Sequence, residues 1–225
     1  MTLRIAVLAS GRGSNLRAIL AAIRDGTLDA EVSGVFSDRA SAPALGIARD
    51  AGIQACAFDP RTQPTRVAFD QELFSAVDAV QPDLIVMAGY MRLVSDAAVT
   101  PRLGRMLNIH PSLLPAFKGL HTHRQALEAG VRVHGASVHF VTPALDDGPV
   151  VSQARVCVEP GDSTDTLTAR VLTREHPLLV DTLRWFSLGR LAWRHHAVSL
   201  DGSPLEIPLQ LGDDDRLHVS HRLNA

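Results

Sequence analysis

The sequence predicts an α/β protein: a Rossmann-like, mostly parallel sheet with helices on both faces, and antiparallel strands in the C-terminal half. Three observations lead there. Short β-branched runs alternate with longer helical patterns through the first hundred residues, a rhythm that favours parallel strands joined by crossover helices. The run Asp83-Leu84-Ile85-Val86-Met87-Ala88 is apolar almost without alternation, as a strand covered on both faces must be. The tight segment from Pro143 to Pro149 separates two strand candidates, which fits a hairpin or reversal.

In chain order, RIAVLAS (4–10) reads as the opening strand and NLRAILAAIRDG (15–26) as the first helix. EVSGVFSD (31–38) is a second strand, APALGIARDAG (42–52) a second helix and IQACAFD (53–59) a third strand. A helix entered through Pro64 is expected to turn Val67, Phe69, Leu73, Phe74 and Val77 inward. After the central strand at 83–88, MLNIH opens into a loop rich in Pro, Gly and His, and a short helix ends at Gly130. Loops this long inside compact domains are usually functional. HGASVHFV (134–141) and PVVSQARVCV (149–158) are the strands flanking the acidic turn. The last long helix, about 163–188, has Asp162-Ser163-Thr164 as cap candidates, and Pro177 is expected to kink or split it. The remainder reads as short strands or ordered coil and a fraying polar tail.

The chain has 225 residues, 46% hydrophobic and 20% charged, the balance of a soluble globular protein with enough chain for one core. A net charge of −2 with scattered basic residues offers no footprint for a nucleic-acid backbone, so small-molecule partners are expected. Cys56 and Cys157 lie far apart without a CxxC pair, and read as buried free thiols of a reducing compartment. The amino terminus runs straight into a strand with no secretion-signal pattern. No apolar run approaches the ~20 residues of a membrane helix. A cytoplasmic setting without membrane contact is the expectation.

Three motifs carry chemistry. Ser10-Gly11-Arg12-Gly13-Ser14-Asn15 joins the first strand to the first helix, where glycines let backbone N–H groups approach an anion and the helix dipole favours it. A tight βα turn without ligand is the alternative. A dinucleotide fingerprint would need a third glycine where Leu16 stands, and a Walker loop would need Gly-Lys-Ser/Thr. A single phosphate, as on a phosphorylated sugar, needs only the turn that is present.

Asn108-Ile109-His110 stands where a strand opens into the long loop, and strand alternation puts Asn108 and His110 on one side. An amide N–H that stabilises an oxyanion and an imidazole that moves a proton near neutral pH together suit attack on a carbonyl carbon. Asp146, in the acidic turn, is a candidate to orient His110 and favour its charged form, with a solvated loop tip as the alternative. His121-Thr122-His123 and His195-His196 lack the carboxylate or cysteine spacing of a metal site, and none is expected. No GxSxG elbow supports a serine hydrolase.

Taken together, SGRGSN, MAGYMRLV (87–94), NIHPSLLPAFKGLHTHRQAL (108–127), HGASVHFV and LDDGPVVSQA closely resemble the phosphoribosylglycinamide formyltransferases, the folate-dependent family of purine synthesis. The resemblance runs from Arg4 to about Gly189. It implies the formyltransferase fold, 10-formyltetrahydrofolate as co-substrate and transfer of its formyl group to the amine of a phosphoribosylglycinamide. By resemblance Asn108, His110 and Asp146 are catalytic. Gly13, Ser14, Asn15 and Glu175 hold the phosphate and ribose, Glu175 as an acceptor only, since an acid does not bind phosphate. Arg66, Met91, Arg92, Leu93, Val94, Thr142, Pro143, Ala144, Leu145 and Asp146 form the folate pocket. The chain departs from the family at Ala116-Phe117-Lys118 and at Asp147, where a glycine is often seen. Lys118 and Asp147 are expected to be solvated.

The implied organisation is a catalytic domain over 1–190, with a phosphate-binding half at about 1–100 and a folate and catalytic half at about 101–190. Residues 191–225 would belong to the same domain. A monomer or homodimer is expected. Three other readings stand beside this one: a formyltetrahydrofolate hydrolase with water as acceptor, a methionyl-tRNA formyltransferase and a catalytically silent phosphoribosyl-binding module. The first two are expected to need a further domain for which the chain leaves little room. The third has no use for Asn108, His110 and Asp146 together.

Overall fold

The computed structural model describes residues 2–220. Its first half is built from β1 (Leu3–Leu8), α1 (Ser14–Arg24), β2 (Ala30–Ser37), α2 (Pro43–Asp50), β3 (Ala55–Ala57), α3 (Arg66–Ala79), β4 (Leu84–Met87) and α4 (Asp96–Val99). The second half adds β5 (Met106–His110), α5 (Thr122–Glu128), β6 (Val133–Phe140), β7 (Val150–Cys157), α6 (Thr164–Ser187) and short strands β8 (Leu191–Arg194), β9 (Ala197–Leu200), β10 (Ser203–Pro204), β11 (Leu209–Leu211) and β12 (Leu217–His218).

A nine-stranded sheet runs in the order β12-β11-β7-β6-β5-β4-β1-β2-β3. Strands β1 to β5 pair parallel, β5 with β6 and β6 with β7 antiparallel, and β11 parallel with β7. The expected fold class therefore holds, including the reversal after β6. A second sheet, β10-β9-β8, is antiparallel.

Parity along the strands explains the double cover. In β1 and β4, Ile5, Val7, Leu84 and Val86 join the apolar cluster under α1, α2 and α6, while Ala6, Leu8, Ile85 and Met87 join the cluster under α3. Leu107 and Ile109 continue the first cluster in β5, as do Ala136, Val138 and Phe140 in β6. Asn108 and His110 must then point to the other face, with Ser137 and His139 beside them.

Helix α3 is entered through Pro64 as expected: Thr65 caps it by accepting from the Ala68 N–H at 3.1 Å, and Arg66 is its first residue. Three details differ from expectation. Val67 is 40% exposed: it sits about 20° beyond Phe74 on the helical wheel, in the first turn, outside the covered arc. Pro177 does not split α6, which runs unbroken over Thr164–Ser187, held along its length by packing on β6 and β7. Cys157 is exposed and Cys56 half-buried, both free, since Cys157 ends β7 on its outward side. Ser163 caps α6 through a capping box with Thr166, as the cap candidates suggested. The end of the polar tail lies outside the described residues.

Candidate active site

The strand order reverses direction at β1 and β4, which are neighbours although α1, β2, α2, β3 and α3 separate them in sequence. In doubly wound sheets the crevice beyond the carboxyl ends of such strands is where ligands bind. The turns after β1, β4 and β5 all open there, the first carrying the glycine motif and the last beginning at Asn108-Ile109-His110, and the acidic turn between β6 and β7 reaches the same crevice through Asp146.

After β1, Gly13 sits at φ +74° as the N-terminal cap of α1 and supplies no side-chain acceptor. A Cβ at Gly13 would lie 2.9 Å from Ala44 Cα and from Ile47 Cδ1, so the position needs glycine for both conformation and space. The helix behind it is left with its dipole and first N–H groups uncapped by a side chain. Asn15 is buried and its Nδ2 donates to Glu175 Oε2 at 3.3 Å, which brings α6 to this end of α1. Asn15 Oδ1 has no protein partner. Burial pushes the Glu175 carboxyl above the usual range, and the Asn15 amide pulls it partly back.

A cavity of about 440 Å³ opens beside this turn, within the range of small-molecule sites. One wall is the segment Met87 to Val94 after β4, the other the loop of Thr142, Ala144, Leu145 and Asp146, and the floor carries Asn108 and His110. Met91, Leu93, Leu120 and Leu145 are each at least half exposed around it, apolar surface that a planar ligand would cover. Arg92 lines the cavity with its guanidinium 4.9 Å above the Phe69 ring. Two residues expected here stand apart: Arg66 is exposed at the start of α3, and Pro143 is exposed outside the lining. Gly13, Ser14, Asn15 and Glu175 form a separate group outside the cavity lining.

On the floor, His110 is 5% exposed. Its Nε2–H donates to the Phe117 carbonyl at 3.0 Å, and its Nδ1 lies 3.5 Å from Asp146 Oδ2. A carbonyl only accepts, so Nδ1 is the nitrogen at which this ring gains or loses a proton. Asp146 occupies the left-handed region at φ +46°, which short acidic side chains tolerate, and its Oδ2 accepts the Gly119 N–H at 2.9 Å. That bond ties the acidic turn to the long loop. The hairpin can close this tightly because Gly148 has no side chain: a Cβ there would lie 1.8 Å from the Phe140 carbonyl oxygen.

His139 is a residue of the cavity lining that sequence reasoning missed. It lies opposite Asn108 in the β5–β6 ladder, and its Nε2 is 3.1 Å from Asn108 Nδ2 and 3.7 Å from Asp146 Oδ1. Its Nδ1–H donates to the Phe140 carbonyl at 2.9 Å. Burial pushes this ring down to about 4, against the opposing pull of the Phe140 carbonyl and Asp146. Only the antiparallel register reveals the pairing; strand alternation within 134–141 was the one available hint.

The long loop is anchored from below. Ser137 Oγ donates to the Ser112 carbonyl at 2.7 Å and accepts the Leu114 N–H at 3.1 Å, while Gln153 Nε2 donates to the Leu114 carbonyl at 2.9 Å. Lys118 and Asp147, expected as solvated side chains, form an ion pair with each other across the two loops. Behind the loop, His123 Nδ1 and His134 Nε2 are 3.1 Å apart, and burial followed by the His123 charge pushes His134 down to about 4. Among the described residues no group of three or more His, Cys, Asp or Glu is placed to hold a metal ion, and no helix is long and apolar enough to cross a membrane.

The profile of the family described as formyl transferase matches residues 3–183. The chain is 49% identical over 203 residues to the phosphoribosylglycinamide formyltransferase of Escherichia coli, covering 90% of this chain and 96% of that protein. The enzyme of the same name from Haemophilus influenzae is 37% identical over 90% of this chain and 95% of its own. Among solved structures, the phosphoribosylglycinamide formyltransferase of Coxiella burnetii superposes with a TM-score of 0.87 at 45% identity, over 91% of this chain and 96% of that one.

Proposed function

The chain belongs to the formyl transferase family, and from that premise we propose that it transfers the formyl group of 10-formyltetrahydrofolate to the amine of 5-phosphoribosylglycinamide, a step of purine synthesis. The products are 5-phosphoribosyl-N-formylglycinamide and tetrahydrofolate. The observation that carries the reading is the meeting of Asn108, His110 and Asp146 at the floor of a cavity adjoining an uncapped glycine turn.

The residues divide the work as follows. The N–H groups at Gly13, Ser14 and Asn15 receive the phosphate, and Glu175 accepts from ribose hydroxyls or the amine. The walls at Met91, Arg92, Leu93 and Val94 and at Thr142, Ala144 and Leu145 enclose the folate, so the cavity takes one wall from each half of the chain. Pro143 shapes the second wall from outside, and Arg66, exposed on α3, is left for the outer end of a long ligand. When the amine attacks the formyl carbon, negative charge develops on the formyl oxygen, and Asn108 with protonated His110 stabilises it. The protonated ring gives its Nδ1 proton to the departing N10 as the C–N10 bond breaks and takes up the proton lost by the amine at the same nitrogen, the one not engaged by Phe117, so that it ends the cycle as it began. Asp146 keeps that ring oriented. No step calls for a metal.

The partners in this reading are two small molecules and no nucleic acid, in keeping with a net charge of −2. A monomer or homodimer in the cytoplasm fits a chain with two free thiols. We read residues 191–225 as part of the same domain, a reading supported by the pairing of β11 with β7 in the main sheet.

A formyl-transfer assay with 10-formyl-5,8-dideazafolate, with and without glycinamide ribonucleotide, tests the function. Turnover that requires the ribonucleotide and collapses in His110→Ala is the expected result. Equal deformylation without it would make the protein a hydrolase, and ribonucleotide binding without turnover would make it a silent binding module.

A further inference from the structure

We propose that Ser10 is a positioning residue that couples the two substrate sites, fastening the phosphate turn to the folate wall so that filling one site tightens binding at the other. The inference rests on the functional reading above. Ser10 is 3% exposed, and both its backbone and its side chain are bonded across the crevice. Its N–H donates to the Gly89 carbonyl at 3.0 Å. Its Oγ accepts the Met91 N–H at 2.9 Å and donates to Asp38 Oδ1 at 2.5 Å. Gly89 and Met91 both line the cavity, while Ser10 is followed directly by the glycines that carry the turn.

These bonds form a staple. They lie beyond the last rung of the β1–β4 ladder, where the Ala88 N–H donates to the Leu8 carbonyl at 2.9 Å. Gly89 stands at φ +76° between β4 and the wall, where glycine leaves the backbone least restrained. With the staple in place, movement of one segment alone would leave a buried N–H or hydroxyl without a partner, which is unfavourable. Asp38, 7% exposed at the end of β2, sets the hydroxyl's direction: with its proton committed to the carboxylate, Oγ presents a lone pair to Met91. A ligand that orders the turn therefore orders the wall, and linkage makes the effect mutual.

The test is calorimetric, on the full chain. Binding of 5,8-dideazafolate, which has no formyl group to transfer, is measured without and with saturating glycinamide ribonucleotide, and then in the reverse order. In the unaltered protein each ligand is expected to tighten the other about fivefold or more. Ser10→Ala should bring that factor within about twofold of one. Ser10→Cys, close to serine in volume but a weak hydrogen-bonding partner, should do the same if the alanine variant folds poorly. Asp38→Asn keeps an acceptor oxygen for the hydroxyl and should keep the coupling. A serine that merely stabilises the fold would lower Tm and weaken both ligands with their mutual factor unchanged; that result, or a factor of one in the unaltered protein, overturns the proposal. Failure to bind glycinamide ribonucleotide at all would instead sink the functional reading itself, and the coupling with it.

Discussion

Asn108 and His139 face each other across the β5–β6 ladder, and the amide Nδ2 donates to the ring Nε2 at 3.1 Å. Because His139 Nδ1–H is committed to the Phe140 carbonyl and burial keeps the ring neutral down to about 4, Nε2 is an acceptor at physiological pH. This fixes which end of the Asn108 amide is nitrogen, and so presents an N–H donor to developing charge. His139→Leu removes the acceptor and leaves the amide free to flip. The expected effect is a fall in kcat of about 10- to 100-fold with KM for both substrates little changed; a rise in KM alone would show that the histidine serves binding instead.

Asp146→Asn keeps the shape of the turn and removes the charge 3.5 Å from His110 Nδ1. Activity should fall about 10²- to 10⁴-fold, while the Kd for glycinamide ribonucleotide changes little because Asp146 is not part of the phosphate turn. Steady-state rates and calorimetry on one preparation decide it, and equal losses in rate and affinity would remove Asp146 from the proton-transfer role.

Gly13→Ala introduces a Cβ at φ +74° that meets Ala44 and Ile47 at 2.9 Å. The ribonucleotide KM should rise about tenfold or more as the turn is displaced, and stability should fall by about 1–3 kcal/mol. Gly13→Val should do more of both. Unchanged KM with a depressed kcat would contradict the cradle.

Acid should destabilise the fold in a defined window. His134 and His139 are pushed down to about 4 in the folded chain, whereas unfolded histidine titrates near ~6.5. Below that pH the unfolded chain binds protons that the native rings do not, so stability is full above about 6.5, falls as pH drops towards about 4 and then levels. The size is on the order of 3 kcal/mol for His134, or roughly 6–12 °C in Tm for a chain of this length. Melting curves across that range check it, and His134→Gln should flatten the slope; a Tm independent of pH between 7 and 4 would refute the assignment.

Much of this protein is legible without coordinates. Apolar runs without alternation dictated a doubly covered parallel sheet, since residues of both parities in β1 and β4 had to be buried. The glycine turn, NIH at a strand end and the acidic turn pointed to phosphate, carbonyl and proton chemistry as the reading to be tested, because each depends on residue type and local backbone conformation. Register and packing did not follow from local pattern. His139 became visible only when β6 paired antiparallel with β5 and set it opposite Asn108, and Glu175 reached Asn15 only through the packing of α6 on α1. Val67 lay outside the covered arc, and Cys157 faced outward at a strand end. Residues far apart in sequence meet only when pairing and burial are satisfied over the whole sheet at once. The sequence by itself therefore determined the chemistry and the fold class, and the tertiary structure alone decided which groups touch.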